Sequence, residues 1–406
     1  MDLVFPYAAA IDIGKKKSLA CVLTPEHKEL RTVAMMTEDL LELADWLVAH
    51  KVTHVAMEST GAYWKPLYNV LEAYDFDLWL VNARDVKNVP GRKTDVQDAE
   101  WLVDLLRHGL LTRSFVPERA QRELREVVRY RRKLIEERTR EFNRLEKTLE
   151  GANIKLGAVA STLTGKSVRR MLWAIAQGQD DPEGLADLAL GRLKDKRAEL
   201  VKALRGFVGD HVRFMLSEQL GHLDELDGRI ERLSAEIAER LRPFEAELAR
   251  LETMPGWGRR TAEEITAEIG FDMSRFATPA HLASWGKMAP GNNESAGKRK
   301  SGHTGKGNRY LRCALVEAAR AAGRRKGTYL HAQYHRLAAR RGKKRAAVAV
   351  GHTMLVIAYH LLRDGTEYQD LGANYFDERK EARVVARLQR RLERLGYAVS
   401  LSKQAA

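Results

Sequence analysis

At 406 residues and 45.9 kDa the chain exceeds one ordinary core and predicts two or three domains of about 100 to 200 residues each. Lys and Arg outnumber Asp and Glu by 69 to 55, a net +14 with a pI near 9.7, which favours a polyanionic partner, nucleic acid first, and excludes an acidic, disordered solvating chain. Two cysteines, Cys21 and Cys313, exclude a disulfide framework or a cysteine-rich zinc site within one chain and fit a reducing cytoplasm.

The opening MDLVFPYAAAIDIG lacks a basic n-region and runs straight into a strand pattern, so it does not read as a signal peptide. YAAAIDIG, SLACVLT, ELRTVAM, HVAMEST and FDLWLVNA are β-branched and apolar runs between polar turns, and they predict strands. Glu38 to His50 and Ala62 to Tyr74 place apolar residues at three and four spacing, the period of helices lying on a sheet. Three successive strands followed by alternating helix and strand predict a mixed α/β sheet domain over residues 1–116.

Residues 117–250 turn to Arg, Glu, Leu and Lys and predict a helical connector. Leu124, Val128, Ile135, Phe142, Leu145 and Leu149 form one heptad-like seam, and Leu223, Ile230, Leu233, Ile237, Phe244, Leu248 and Leu251 another. An antiparallel helix pair, or a coiled coil between subunits, would bury both; Arg131 and Arg138 fall in the first seam and are expected to weaken it. Gly151 to Gly209 reads as helical without a chemical signature.

A mainly helical domain is predicted over 251–365, with a basic, amphipathic tail over 366–406. The turn MPGWG before a helix closed by Gly270 suits either a helix-hairpin-helix that holds a phosphate on its turn amides or a plain interhelical turn. Residues 287–345 carry 17 Lys/Arg against two acids, Glu294 and Glu317; this net +15 accounts for the whole +14 surplus of the chain and marks the expected polyanion dock. Lys298, Arg299, Lys300, Lys306, Asn308, Arg309, Arg312, Arg324, Arg325 and Lys326 are its candidate contacts. His331 and His335, at i and i+4, read as a solvated or nucleic-acid-facing helix face rather than metal ligands. Ala346 to Leu362 is the most apolar stretch; His352 and His360 interrupt it, and it predicts a buried helix rather than a membrane span.

Four acids can carry chemistry. Asp12 lies in the first predicted strand and Glu58 ends HVAMEST; Asp95 and Asp98 open a helix in KTDVQDAEWL, where Thr94 and Gln97 fit a capping box. Converging on one sheet edge, such acids would repel unless divalent cations enter, and two metals can clamp a scissile phosphate. The competing readings are macrodipole complementation for Asp95 and Asp98, and a nucleotide phosphate loop of the sugar-kinase and actin type for Asp12 before Lys15, Lys16 and Lys17. In the basic loop, Ser295 stands near Lys298, Arg299 and Lys300, cations that favour an alkoxide; a turn former or a phosphate hydrogen-bond donor is the plainer role, and Ser301 is the rival nucleophile.

AAIDIGKK, VAMEST, KTDVQDAEWL, the MPGWG turn and APGNNESAGKRKSGHTGKGNRYLR, in this order over about residues 7–365, resemble the DEDD transposases of the IS110 family of insertion sequences. The resemblance implies a RuvC-like, RNase H-type N-terminal domain, a coiled-coil connector and a C-terminal transposase domain. It assigns Asp12, Glu58, Asp95 and Asp98 as Mg²⁺ (or Mn²⁺) ligands and Ser295 as the nucleophile. It further implies donor and target DNA and a non-coding bridge RNA as partners, a homo-oligomer, dimer to tetramer, with sites shared between subunits, no membrane, and a cytoplasmic, nucleoid-associated bacterial protein. Where family members carry a serine pair followed by glycines, this chain has Glu294, Ser295, Ala296 and Gly297. The function expected is an RNA-guided DNA recombinase acting through phosphoserine. The alternatives are a resolvase-like nuclease using water, a non-catalytic nucleic-acid-binding protein, and a sugar-kinase-like ATPase.

Overall fold

Three consecutive alanines, Ala8 to Ala10, without solvent exposure announce a strand covered on both faces. The computed structural model describes residues 3–59, 61–82, 95–291, 293–295, 297–305 and 307–402, without the side chains of 95–97, 293–295 and 299–301. The chain divides into two units, Met1–Pro117 and Glu118–Ala406.

The first unit is a five-stranded mixed sheet in the order β3-β2-β1-β4-β5. Strands β1 (Ala8–Asp12), β2 (Lys17–Leu23) and β3 (Lys28–Ala34) form an antiparallel meander, and β4 (His54–Glu58) and β5 (Asp77–Val81) run parallel to β1. Gly14 makes the first turn possible, because a Cβ there would lie 2.2 Å from the Lys17 carbonyl oxygen. The period of two sorts the strands' side chains. Ala9, Ile11, Val55, Met57, Leu78 and Leu80 pack under α1 (Thr37–Ala49) and α2 (Trp64–Leu71). Ala8, Ala10, Cys21, Ala56 and Val81 pack under α3 (Asp95–Arg107) through Ala99, Leu102, Val103 and Leu106.

In the second unit, α4 (Arg119–Gly151) and α7 (Asp210–Leu241) form a long helix pair, with α5 (Lys166–Ala176) and α6 (Arg197–Leu204) between them in sequence. Arg131 reaches Ser234, Arg138 bonds Asp227 at 2.8 Å and Glu141 meets His222 at 3.4 Å. Partner numbers fall along α7 as they rise along α4, so the pair is antiparallel within one chain. Leu134, Leu226 and Ile230 fill its middle, and one end joins α5 and α6 through Leu145, Leu149, Met171, Leu172, Leu200 and Leu220. The second sequence seam is not one helix: α7 stops at Leu241, Pro243 sits in a tight turn over Arg242–Phe244, and α8 (Glu245–Glu252) restarts.

The arginines expected to weaken the first seam are instead paired. Arg131 is 2% exposed and lies 2.7 Å from Glu263 of α9 (Arg259–Ile269), while Arg138 binds Asp227. Arg129 and Arg132 continue this ladder to Glu268 and Glu264. Gly256 in the turn before α9, at φ +85°, lies so close to α11 (Arg309–Ala322) that a Cβ would meet the Ala318 carbonyl oxygen at 2.5 Å.

Downstream of α9 and α10 (Pro279–Trp285), the predicted basic loop contains a two-stranded hairpin, β6 (Asn293–Ser295) and β7 (Lys298–Ser301). Helices α12 (Tyr329–Arg341) and α13 (Lys343–Asp364) follow α11. The apolar stretch is α13, long and apolar enough to cross a membrane, yet Val350, Met354, Leu355, Ala358 and Tyr359 are buried in the protein core. Tyr359 donates its hydroxyl proton to the Phe276 carbonyl at 2.8 Å. A last described helix, α14 (Glu381–Arg394), lies in the basic tail.

Candidate acid centre and nucleic-acid interface

Residues Ala8–Ile11 of β1 stand opposite His54–Met57 of β4 in parallel register, so Asp12 and Glu58 come next on neighbouring strands. Alternation places both on the face that α3 covers, because Ala10 and Ala56, two residues earlier, lie there. The last carbonyl of α3, on Arg107, accepts the Val4 and Phe5 amides at 2.8 and 3.1 Å, beside the chain entering β1. Packed on β1, β2 and β4, α3 therefore runs antiparallel to β1 and turns its first residues, Asp95 and Asp98, toward the sheet end that carries Asp12 and Glu58.

Asp12 and Glu58 are half-buried and Asp98 is exposed. Among the described residues their carboxylate oxygens do not form a group within 4.8 Å of one another; like charges repel at that range. The Asp95 side chain and the predicted capping box of Thr94 and Gln97 lie outside the described residues. The donor set is oxygen only, which suits a hard divalent cation and not a thiophilic one.

Backbone register puts Ser295 opposite Lys298 and Asn293 opposite Ser301, so both candidate nucleophiles belong to one short hairpin. The side chains of Glu294, Ser295, Arg299, Lys300 and Ser301, and all of Lys306, lie outside the described residues. Lys298, Arg309, Arg324, Arg325 and Lys326 are exposed, as a phosphate contact requires.

Four other residues read as part of this interface or its flanking helix face also hold the fold. Asn308 caps α11, its Oδ1 accepting the Tyr310 and Leu311 amides at 3.1 and 3.2 Å, and its Nδ2 donates to buried Glu268 at 2.5 Å. Arg312 donates to the Lys287 and Gly305 carbonyls at 2.9 and 2.6 Å and ties the hairpin's base together. His331 and His335 both direct one ring nitrogen at the Gly323 carbonyl, at 2.8 and 2.9 Å, and so close the end of α11, while His335 stays exposed on its helix face.

Sequence reading missed a groove of about 1030 Å³ between α12 and α14. Arg336, Arg340, Arg383, Arg387, Arg390 and Arg394 line it, with Asp377 as its acid, and Arg336 lies over the Phe376 ring at 5.1 Å. The arginine spacing of three and four in the tail was the available signal; its partner helix was not visible in sequence. A trough of guanidinium groups with aromatic floor suits a phosphate backbone.

The first unit is a sheet with two aligned acids and the second is helical and carries the basic stretch over 287–345, and family matches in both define the class, a DNA transposase, an enzyme of DNA recombination that acts on DNA. Residues 9–154 match the family model described as "DEDD_Tnp_IS110: Transposase", and residues 248–335 match "Transposase IS116/IS110/IS902 family". The "Insertion element IS110 uncharacterized 43.6 kDa protein" of Streptomyces coelicolor is 28% identical over 306 residues, 69% of this chain and 73% of that protein. The "Pilin gene-inverting protein" of Moraxella lacunata is 23% identical over 377 residues, 88% of this chain and 96% of that one. The chain belongs to the IS110 family of insertion-sequence transposases. Membership of a DEDD family points to divalent-metal use.

Proposed function

We propose that this transposase is an RNA-guided DNA recombinase that excises and inserts its own element through a phosphoserine intermediate formed by Ser295. The observation that carries the reading is the alignment of Asp12 and Glu58 on adjacent parallel strands under a helix that begins with Asp95 and Asp98. The strand order, three antiparallel strands and two parallel to the first, supports an RNase H-like (RuvC-like) domain. Asp12, Glu58, Asp95 and Asp98 would hold Mg²⁺ or Mn²⁺, which when bound neutralises charge on a phosphate.

In the proposed reaction the Ser295 hydroxyl loses its proton and its oxygen attacks a backbone phosphorus. One phosphorus–oxygen bond to sugar breaks and that sugar oxygen leaves as a hydroxyl. A sugar hydroxyl from another strand reverses the exchange and frees the serine, so the bond energy is kept and no ATP is needed. Lys298 and its neighbours favour the alkoxide by their charge.

Trapping the adduct tests this. Ser295→Ala is expected to abolish the covalent protein–DNA species on denaturing gels, while Ser301→Ala retains it. The opposite pattern reassigns the nucleophile, and cleavage without any adduct returns the site to a metal-dependent, water-using nuclease.

Guidance by a non-coding bridge RNA, a dimer-to-tetramer assembly and a cytoplasmic, nucleoid-associated setting complete the proposal. The concentration of positive charge in residues 287–345 and the arginine-lined groove support a second polyanion beside DNA. RNA sequenced from the purified protein should be one defined species transcribed from DNA flanking the gene; a random population refutes guidance. Replacing Arg387 and Arg391 by Glu should lower the slope of log affinity against log salt by about one per lost phosphate contact, with unchanged melting. An unaltered slope would remove the groove from the interface.

A further inference from the structure

His27 and Glu29 flank Lys28 at the start of β3, the edge strand of the sheet, and the period of two puts them on the side of α1. His50 is the C-cap of that helix. The three side chains bring ligand atoms within 4.8 Å of one another, and the two rings lie 5.2 Å apart. This cluster is separate from the acid centre: Lys28 pairs with Leu23 and Leu23 with Ala8, so it sits at the end of the sheet where β1 begins, and on the opposite face.

The hydrogen bonds around it have one unresolved point. His50 Nδ1 lies 2.8 Å from the Trp46 carbonyl oxygen, which only accepts, so Nδ1 carries the proton. In a neutral ring Nε2 is then a lone pair, and it faces Glu29 Oε2 at 3.0 Å. Two acceptors face each other, a contact that needs a cation, either a second ring proton or a metal ion. Glu29 is meanwhile held by the Trp46 indole N–H, which donates to Oε1 at 3.2 Å. A ring nitrogen fixed through its far N–H by a backbone carbonyl, and a carboxylate steadied by a neighbouring donor, are the outer supports found around metal ligands.

We infer that His27, Glu29 and His50 form a binding site for a borderline transition-metal ion of the zinc class, a clip that fastens edge strand β3 to the end of α1. Two imidazole nitrogens with one carboxylate suit Zn²⁺ and not Mg²⁺, which demands oxygen. His27 and Glu29 are exposed, so the remaining coordination position opens to solvent.

Full-length protein stripped with a chelator and saturated with Mg²⁺, to occupy the acid centre, is titrated with zinc chloride. Stoichiometric binding and a zinc-dependent rise in melting temperature are expected, with Co²⁺ giving the intense visible absorption of a tetrahedral site. His27→Ala, at an exposed ring, should remove the binding and the spectrum; Trp46→Phe should weaken binding about 10- to 100-fold. Absence of zinc binding in the Mg²⁺ background assigns the cluster to a His50 imidazolium–Glu29 ion pair and overturns the site. Equal affinity in His27→Ala overturns it as well.

Discussion

Asp12→Asn and Glu58→Gln are each expected to slow strand transfer by about 10²- to 10³-fold, the loss typical of removing one preorganised group that manages charge at a reacting centre. Both substitutions keep the shape and delete the charge. The residues sit at the ends of β1 and β4, where Asp12 pairs with Leu19 and Glu58 with Val81 through the backbone, so the ladder that places them does not depend on their carboxylates. Neither is part of the apolar clusters that close the two faces of the sheet. Stability should therefore stay within about 0.5 kcal/mol of the parent. DNA strand-transfer assays run beside thermal melts separate the two quantities. Full strand transfer in either variant would make that acid structural and place the chemistry elsewhere in the protein.

Glu268→Ala should destabilise the second unit by about 3–5 kcal/mol, the cost of breaking a buried ion network by removing one partner. Glu268 is 1% exposed. Its carboxylate takes Arg129 through two bonds at 2.7 and 2.8 Å, Arg125 at 3.1 Å and Asn308 at 2.5 Å. Burial pushes the Arg125 guanidinium down to about 10 although Glu268 opposes that shift, so without the acid Arg125 stays desolvated and keeps only the neutral Ala267 and Glu268 backbone carbonyls as partners. The same deletion frees Asn308, the cap of α11, next to the segment that carries the β6–β7 hairpin. Urea unfolding of the full chain is the measurement. A loss below about 1 kcal/mol would mean that Arg125 and Arg129 find other partners or water, as surface pairs do.

Periodicity carried much of the fold. The apolar runs in YAAAID and HVAMEST specify strands, and once those strands pair in register the period of two puts Asp12 and Glu58 on one face. The heptad-like seams of α4 and α7 specify an apolar stripe on each, and the antiparallel pair buries both. The apolar run of α13, cut by His352 and His360, reads correctly as a core helix. Each of these is a local pattern whose period reports which side of an element must leave water.

Partners distant in sequence were decided by packing. Arg131 looks like a flaw in its seam until α9 brings Glu263 within 2.7 Å of it, and Asn308 looks like a nucleic-acid contact until its two ends are seen to bond α11 and Glu268. His331 and His335 read as a solvated or nucleic-acid-facing helix face, and packing adds a bond from one nitrogen of each ring to the Gly323 carbonyl while His335 stays exposed. The arginines of the tail become a groove only when α14 is set beside α12. A charge or amide in a sequence states how many hydrogen bonds it must satisfy but not with whom. That choice belongs to whichever side chain the folded backbone carries to its tip.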